Sequence, residues 1–197
     1  MTSKAIYLTL DTVDCMGISV LPCRAGGKWI VLALDEKGRL LANSLPSEDL
    51  EQSLARVLRS LQHRGMGDYR IADADRRAES IANSIIRGES VEIATDGMSP
   101  LEISALRRVM GIPKGMVASY RDIALQLGNP GLARFVGNVM SKNPFPIVVP
   151  CHRVIRSDMS LGGFGYGELE KRRLLEVEGV EIKGGKVRER HRLARGR

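Results

Sequence analysis

Cys151, His152 and Arg153 are consecutive, at the end of Asn143-Pro144-Phe145-Pro146-Ile147-Val148-Val149-Pro150. A thiol, an imidazole and a guanidinium therefore arrive together behind an apolar, proline-stiffened run. The reactive form of cysteine is the thiolate. A free thiol titrates at about 8.5, cations and hydrogen-bond donors lower that value, and burial raises it. A buried nucleophilic cysteine thus needs a base within reach and a third group to orient that base. The chemistry open to such a set is group transfer onto sulfur or cysteine-dependent hydrolysis. Three prolines predict an extended path for Asn143 to Cys151, beneath the helices that precede it. Neighbours on an extended strand point to opposite faces, so His152 is expected to act through a water or a turn.

The elements around this segment are punctuated clearly. Ser99-Pro100-Leu101-Glu102 is a capping box with proline at the first helical position. Ile103, Leu106, Val109 and Met110 follow on one side, and Gly111 and Pro113 end that helix. Ser119-Tyr120-Arg121-Asp122 opens a second helix and Gly128 closes it. Asn129-Pro130 opens a third, running from Gly131 to about Lys142, with Leu132, Val136, Val139 and Met140 inward. Two short helices around a Gly-Asn-Pro turn have the form of a helix-turn-helix. Arg134, Asn138 and Ser141 stay off the apolar face, free to meet a groove.

The first half has a different rhythm. Ile6, Leu8 and Leu10 alternate, Ile18 to Cys23 is a second short run, and Trp29–Leu34 and Arg39–Leu45 flank the turn Asp35-Glu36-Lys37-Gly38. Leu50, Leu54, Val57, Leu58 and Leu61 then recur at helical spacing, and a second helix is expected from about Asp73 to Gly88. The resulting domain expectation is 1–94 for strands and helices, 95–182 for the helical half with the nucleophile, and 183–197 for a basic tail.

Charge follows the same division. The chain has 197 residues and net charge +7. Residues 107–156 hold eight basic side chains against Asp122 alone, while the stretch from Lys183 holds seven against Glu189. A basic stripe inside a folded region points to a polyanion. The hydrophobic fraction of 43% excludes a disordered chain, and no apolar run is long enough for a membrane span. No secretory leader is recognisable at the start, so a cytoplasmic protein is expected. Cys15 and Cys23 have no nearby ligand partners. They read as two buried apolar side chains, with a mutual bridge as the alternative.

Pro150-Cys151-His152-Arg153-Val154-Ile155, preceded by Asn143-Pro144-Phe145-Pro146-Ile147, resembles the active-site signature of the O6-alkylguanine-DNA alkyltransferases. The likeness runs from about Pro100 to Val180. It includes Ser119-Tyr120, Gly128-Asn129-Pro130, Ala133-Arg134-Phe135-Val136-Gly137, the loop Gly162-Gly163-Phe164-Gly165, and Leu174-Leu175-Glu176-Val177-Glu178-Gly179. The resemblance implies an α+β protein of two domains. The first is ribonuclease H-like, and the second is mainly helical with a winged-helix-like helix-turn-helix.

It also implies repair of duplex DNA. An O6-alkylguanine, and also an O4-alkylthymine, is turned out of the stack and gives its alkyl group irreversibly to the protein's own cysteine. In that scheme Cys151 accepts the alkyl group, His152 is the base acting through water, and Glu178 orients and charges it. Asn143 braces the cysteine region. Tyr120 assists the departing guanine. Arg134 fills the gap left by the flipped base, with Ala133 and Gly137 allowing close approach to the minor groove. Ser119, Asn129 and Arg153 are further DNA contacts. Pro146, Gly162, Gly163, Phe164 and Gly165 border the alkyl pocket. No cofactor, metal or membrane is implied, and a monomer is expected. Phe135 and Asn138 stand where many relatives carry smaller residues, and Tyr166 is bulky for its loop, narrowing the pocket or adding a hydrogen bond. The basic tail lies outside the resemblance and is expected to add only non-specific affinity. A DNA-binding module without transfer chemistry and a cysteine hydrolase are the competing classes.

Overall fold

In the computed structural model, which describes residues 17–193, alternate side chains of two strands feed two different cores. Strands β1 (Ser19–Ala25) and β2 (Lys28–Leu34) form an antiparallel hairpin around Gly26 and Gly27, both at positive φ. Strand β3 (Leu40–Asn43) adds antiparallel to β2, and β4 (Arg70–Ile71) adds parallel to β1, giving the order β3-β2-β1-β4. Val20, Val31 and Ala33 face helix α1 (Leu50–His63), meeting its Val57 and Leu61. Leu21, Cys23, Ile30 and Leu32 face the other way, against helix α2 (Arg76–Arg87) and a core continuous with the second half. The strand expected at Ile6–Leu10 lies outside the described residues. Helix α2 begins later than its spacing suggested because Asp75, rather than Asp73, accepts the Ala78 amide at 2.7 Å. Strand β3 would otherwise be a bare edge. Its Leu40 bonds the backbone of Glu92 and Ala94, and its Asn43 amide donates to Pro144 O at 2.9 Å.

The second half holds α3 (Pro100–Met110), β5 (Ala118–Ser119), α4 (Tyr120–Gln126), a 3-10 turn at Pro130–Leu132, and α5 (Ala133–Ser141). Strand β6 (Val154–Ile155) pairs parallel with β5 directly after the Cys-His-Arg run, and α6 (Glu168–Val177) follows. Both expected capping boxes form. At Ser119 the short Asp122 still closes the reciprocal bond, with Ser119 N at 3.0 Å from its carboxylate. The third helix is split, opening with the 3-10 turn before α5 begins. Val136, Val139 and Met140 of α5 are buried as expected.

One expectation is corrected. Asn143 to Cys151 is not extended. Val149 N donates to Phe145 O at 2.8 Å, Pro146 bridges Val149, and Ile147 takes φ 73°. The prolines fix only their own φ, so the chain reverses between them, at a β-branched residue in the left-handed region. The residues from Ile182 fold back as the small hairpin that Gly184-Gly185 suggests in the sequence. Strands β7 (Ile182–Lys183) and β8 (Lys186–Val187) pair across Gly184 and Gly185, Val187 is buried beside Leu175 and Val180, and Leu193 N donates to Val117 O at 2.7 Å. Removing this stretch would therefore cost packing as well as charge. Among the described residues no helix is long and apolar enough to cross a membrane.

Candidate active site

The Asn143 side chain braces the reversal at Ile147 together with the Val149–Phe145 backbone bond. Asn143 Oδ1 accepts from Phe145 N at 3.0 Å, while its Nδ2 donates to Val149 O at 3.0 Å and to Cys151 Sγ at 3.1 Å. Cys151 opens a 3-10 turn, Cys151–Arg153, so its neighbour's side chain is not thrown to the opposite face as on a strand. Cys151 is 7% exposed. Burial pushes its thiol up, and the Asn143 hydrogen bond and the Lys171 charge pull it back. Cys23 is the contrasting case. Burial, with Glu79 and Asp75 nearby, pushes its thiol up to about 12, which leaves it inert as a nucleophile.

His152 is buried, and its Nε2 lies 2.9 Å from Glu178 Oε1. Burial alone would raise the Glu178 carboxyl, but hydrogen bonds from His152 and Arg153 outweigh it and hold it at about 2. An ionised carboxylate only accepts, so Nε2 carries the proton of this bond and Nδ1 is left as the proton acceptor. No hydrogen bond joins His152 directly to Cys151 Sγ among the described residues. Arg153 grips the same carboxylate with two bonds, Nε to Oε2 at 2.9 Å and an Nη to Oε1 at 2.7 Å, and its other Nη donates to Ile112 O at 2.6 Å. Arg153 was expected at the DNA surface. Instead its guanidinium is spent inside the protein, because Glu178 offers a bidentate partner. Ser119, expected to face DNA, is likewise buried, with its hydroxyl consumed by the α4 cap.

Tyr120, the first residue of α4, sets its ring between α5 and the loop after β6. A Cβ on Gly162 would stand 3.7 Å from the ring, and one on Gly137 would stand 3.9 Å from it. Gly162 sits at φ 70°. Burial raises the Tyr120 phenol, the Cys151 charge raises it further, and Arg156 opposes both. Ala133 and Phe135 pack partly buried against the main core, whereas Arg134 and Asn138 are exposed on α5. Asn129 is exposed, its Oδ1 accepting from Gly131 N at 2.8 Å.

Four residues that the sequence did not single out complete the surroundings. Lys171 of α6 is fully buried and donates to Val154 O at 2.6 Å and Gly163 O at 3.3 Å. Burial lowers its ammonium to about 8, opposed chiefly by Cys151. Its signal was present: Lys171 is four residues before buried Leu175, on the same inward helix face. Asn43 Nδ2 donates to Pro146 O at 3.0 Å, and Arg56 donates to Gly165 O at 3.0 Å while stacking over Tyr166 at 4.1 Å. Arg156 lies against Gly162, which a Cβ would bring within 3.3 Å of its Cγ. Tyr166 accepts the Leu45 amide at 3.2 Å and packs 5.7 Å from Phe164, so its bulk ties the loop to the end of β3. Replacing Lys171 by Met is expected to slow any reaction of the Cys151 thiolate at neutral pH, because the neighbouring positive charge that favours the thiolate is lost. Iodoacetamide labelling of Cys151 across a pH series checks this. An unshifted profile would remove the lysine from the nucleophile's environment.

Residues 100–180 match the family model described as "6-O-methylguanine DNA methyltransferase, DNA binding domain". A methylated-DNA–protein-cysteine methyltransferase of Methanothermobacter thermautotrophicus is 43% identical over 88 residues, covering 45% of this chain and 49% of that protein. The protein of that name from Salmonella typhimurium is 34% identical over 160 residues, covering 78% of this chain and 90% of its own length. Among solved structures, the O6-methylguanine-DNA methyltransferase of Pyrococcus kodakaraensis superposes with a TM-score of 0.64 at 28% identity, over 83% of this chain and 99% of that one. The Mycobacterium tuberculosis protein in complex with DNA gives 0.59 at 30% identity, over 81% and 92%. Since the Salmonella protein is 34% identical over 78% of this chain and 90% of its own length, the chain belongs to the methylated-DNA–protein-cysteine methyltransferase family.

Proposed function

We propose that this protein repairs duplex DNA by taking the alkyl group of O6-alkylguanine, and of O4-alkylthymine, onto Cys151, once and irreversibly. The observation that carries the reading is the arrangement of one buried thiol, hydrogen-bonded by Asn143, next to a histidine whose far nitrogen is committed to Glu178. His152 Nδ1 takes the thiol proton through a water. The Sγ lone pair then forms the S–C bond to the alkyl carbon as the C–O6 bond breaks, and that electron pair leaves on the guanine. The Tyr120 hydroxyl donates to the ring as negative charge develops there. The thioether formed is not readily hydrolysed, so each molecule acts once.

The target carbon is inaccessible inside the stack, so the base is turned out before transfer. Arg134, exposed on α5, occupies the gap. Ala133, Gly137 and Asn129 line the approach to the minor groove, where recognition carries little sequence information and so suits repair at any guanine. The exposed cations Arg107, Arg108, Lys114 and Arg121 hold the DNA backbone, with binding that weakens as salt rises. Residues 1–94 act as a ribonuclease H-like domain and 95–182 as the DNA-binding and transfer domain, with a winged-helix-like helix-turn-helix. The protein works as a cytoplasmic monomer without cofactor.

The test is intact mass after incubation with a duplex carrying O6-methylguanine. One methylene is gained on Cys151, and none in Cys151→Ala, which still binds the duplex. Lesion binding without an adduct would leave a recognition module. Repeated turnover of an ester or amide would indicate a hydrolase.

A further inference from the structure

The chain beyond α6 closes a ring of contacts around Glu178. Gly115, at φ 81° in the loop between α3 and β5, packs against that residue: an added Cβ would stand 3.3 Å from Glu178 O. Earlier in the same loop, Ile112 O accepts from Arg153, which also grips the Glu178 carboxylate. Gly115 O lies 2.9 Å from His191 Nδ1, and the Glu181 amide donates to His191 Nε2 at 3.1 Å. Glu181 follows Glu178 closely in the chain. The His191 imidazole therefore fastens both the loop packed on Glu178 and the segment that leaves it.

Both ring nitrogens are committed. A carbonyl only accepts and a backbone amide only donates, so Nδ1 carries the proton and Nε2 the free lone pair. Arg190 Nε also approaches Nε2, at 3.3 Å. The half-buried ring is itself anchored through the backbone. Val117 N donates to His191 O at 2.8 Å and Leu193 N donates to Val117 O at 2.7 Å, so residues 191–193 run parallel to the chain entering β5. Arg192 donates to Ser157 O at 3.0 Å, in the loop after β6. The Glu181 carboxylate does not compete for the ring, since Arg190 holds it at 2.6 Å and Arg188 at 3.4 Å. A basic stretch that only attracted DNA would need none of these bonds.

We propose that His191 is a positioning residue for alkyl transfer, holding Glu178 in place so that its carboxylate in turn orients His152 beside Cys151. The inference rests on Cys151 being the alkyl acceptor. Among the described residues no hydrogen bond joins His191 to Cys151 or His152, so its influence runs through the main chain around Glu178. Without the imidazole, Gly115 and Glu181 lose their shared anchor. The end of α6 is then free to shift, and the carboxylate follows Arg153 and Ile112 rather than meeting His152. Histidine suits the place because one rigid ring offers a donor and an acceptor at once, which neither lysine nor arginine does.

Three quantities are measured: the single-turnover transfer rate from an O6-methylguanine duplex at saturating DNA, the duplex Kd, and iodoacetamide labelling of Cys151 without DNA. The proteins compared are the unaltered chain, His191→Ala, His191→Asn, and Glu178→Gln with and without His191→Ala. Asparagine keeps a donor for Gly115 O and lacks the acceptor for the Glu181 amide. His191→Ala is expected to lower the saturating rate by up to about 10²-fold, the cost of a misplacement of about 1 Å. It should also slow labelling and leave Kd unchanged, with asparagine recovering part of both rates. Added to Glu178→Gln it should cost little more, because both changes remove the same positioning. The asparagine variant carries the same comparisons where the alanine variant does not fold. General loosening would expose the buried thiol and speed labelling, and its effect would add to that of Glu178→Gln; either result overturns the proposal. So does a weaker Kd with an unchanged saturating rate, which would leave the stretch a role in DNA affinity alone. Absence of methyl transfer by the unaltered protein would instead sink the reading of Cys151, and the labelling rates would still decide the role of His191.

Discussion

Glu178→Gln is expected to lower the single-turnover alkyl-transfer rate by about 10²–10³-fold at saturating DNA, within the range that positioned acid–base groups contribute. Glutamine keeps an acceptor but loses the charge that both His152 and Arg153 address, 2.9 Å and 2.7 Å from Oε1. With the charge gone, the imidazole is no longer held with its proton on the far nitrogen, and its capacity to take the thiol proton falls. The same change leaves Arg153, half-buried with its side chain 16% exposed, without its counter-charge, though its bond to Ile112 O remains. Breaking a fully buried pair from one side costs about 3–5 kcal/mol, and this pair is only part-buried with an acceptor retained, so thermal stability falls by less than that. Rate and melting temperature measured on the same preparation separate the two effects. A full rate in a destabilised protein would reduce Glu178 to a structural ion-pair partner.

The same carboxylate sets an acid limit. Its folded value of about 2 lies below the 4.5 of an unperturbed glutamate, so the unfolded chain binds the proton more readily. Its stabilising contribution is complete above 4.5 and is lost as pH falls toward 2. Acid unfolding in Glu178→Gln should therefore be less steep over that interval.

Asn143→Ala is expected to fail in a different way. Three bonds converge on that amide, and two of them fix backbone: Phe145 N and Val149 O. Val149 O keeps its bond from Cys151 N at 2.8 Å, but Phe145 N is left unpaired, at a cost of about 1–3 kcal/mol. The third bond is the only side-chain donor to the nucleophile among the described residues. Its loss raises the thiol further, so less thiolate is present and transfer at neutral pH slows. Asn143→Ser, which keeps a short donor, should recover backbone order more than rate. An unchanged rate at saturating duplex in the alanine variant would show that the thiol does not depend on this donor.

What could be read from the sequence divides along the range of the interactions. Ser99 and Ser119 announce their caps because the partner is three residues away. Cys151, His152 and Asn143 were visible because they share one segment, and Glu178 because its motif accompanies theirs. The bonds that set the segment's outer wall span the chain. Asn43 reaches Pro146 across 103 positions, and Arg56 reaches Gly165 across 109. Neither residue carries a local pattern that announces such a partner. The extended path expected from three prolines failed for a related reason. Proline rules constrain the prolines and the residues before them. The turn at Ile147 is imposed by Asn143 and by the Val149–Phe145 bond.

The bond from Asn43 N to Pro144 O also closes part of the outer rim of a four-stranded sheet. An uncovered strand at such a rim is a template for pairing with another chain. The reactive segment is thus also a guard against self-association. Substitutions that loosen Asn143 to Val149 are expected to unmask the Asn43 end of β3 and to promote pairing with another chain.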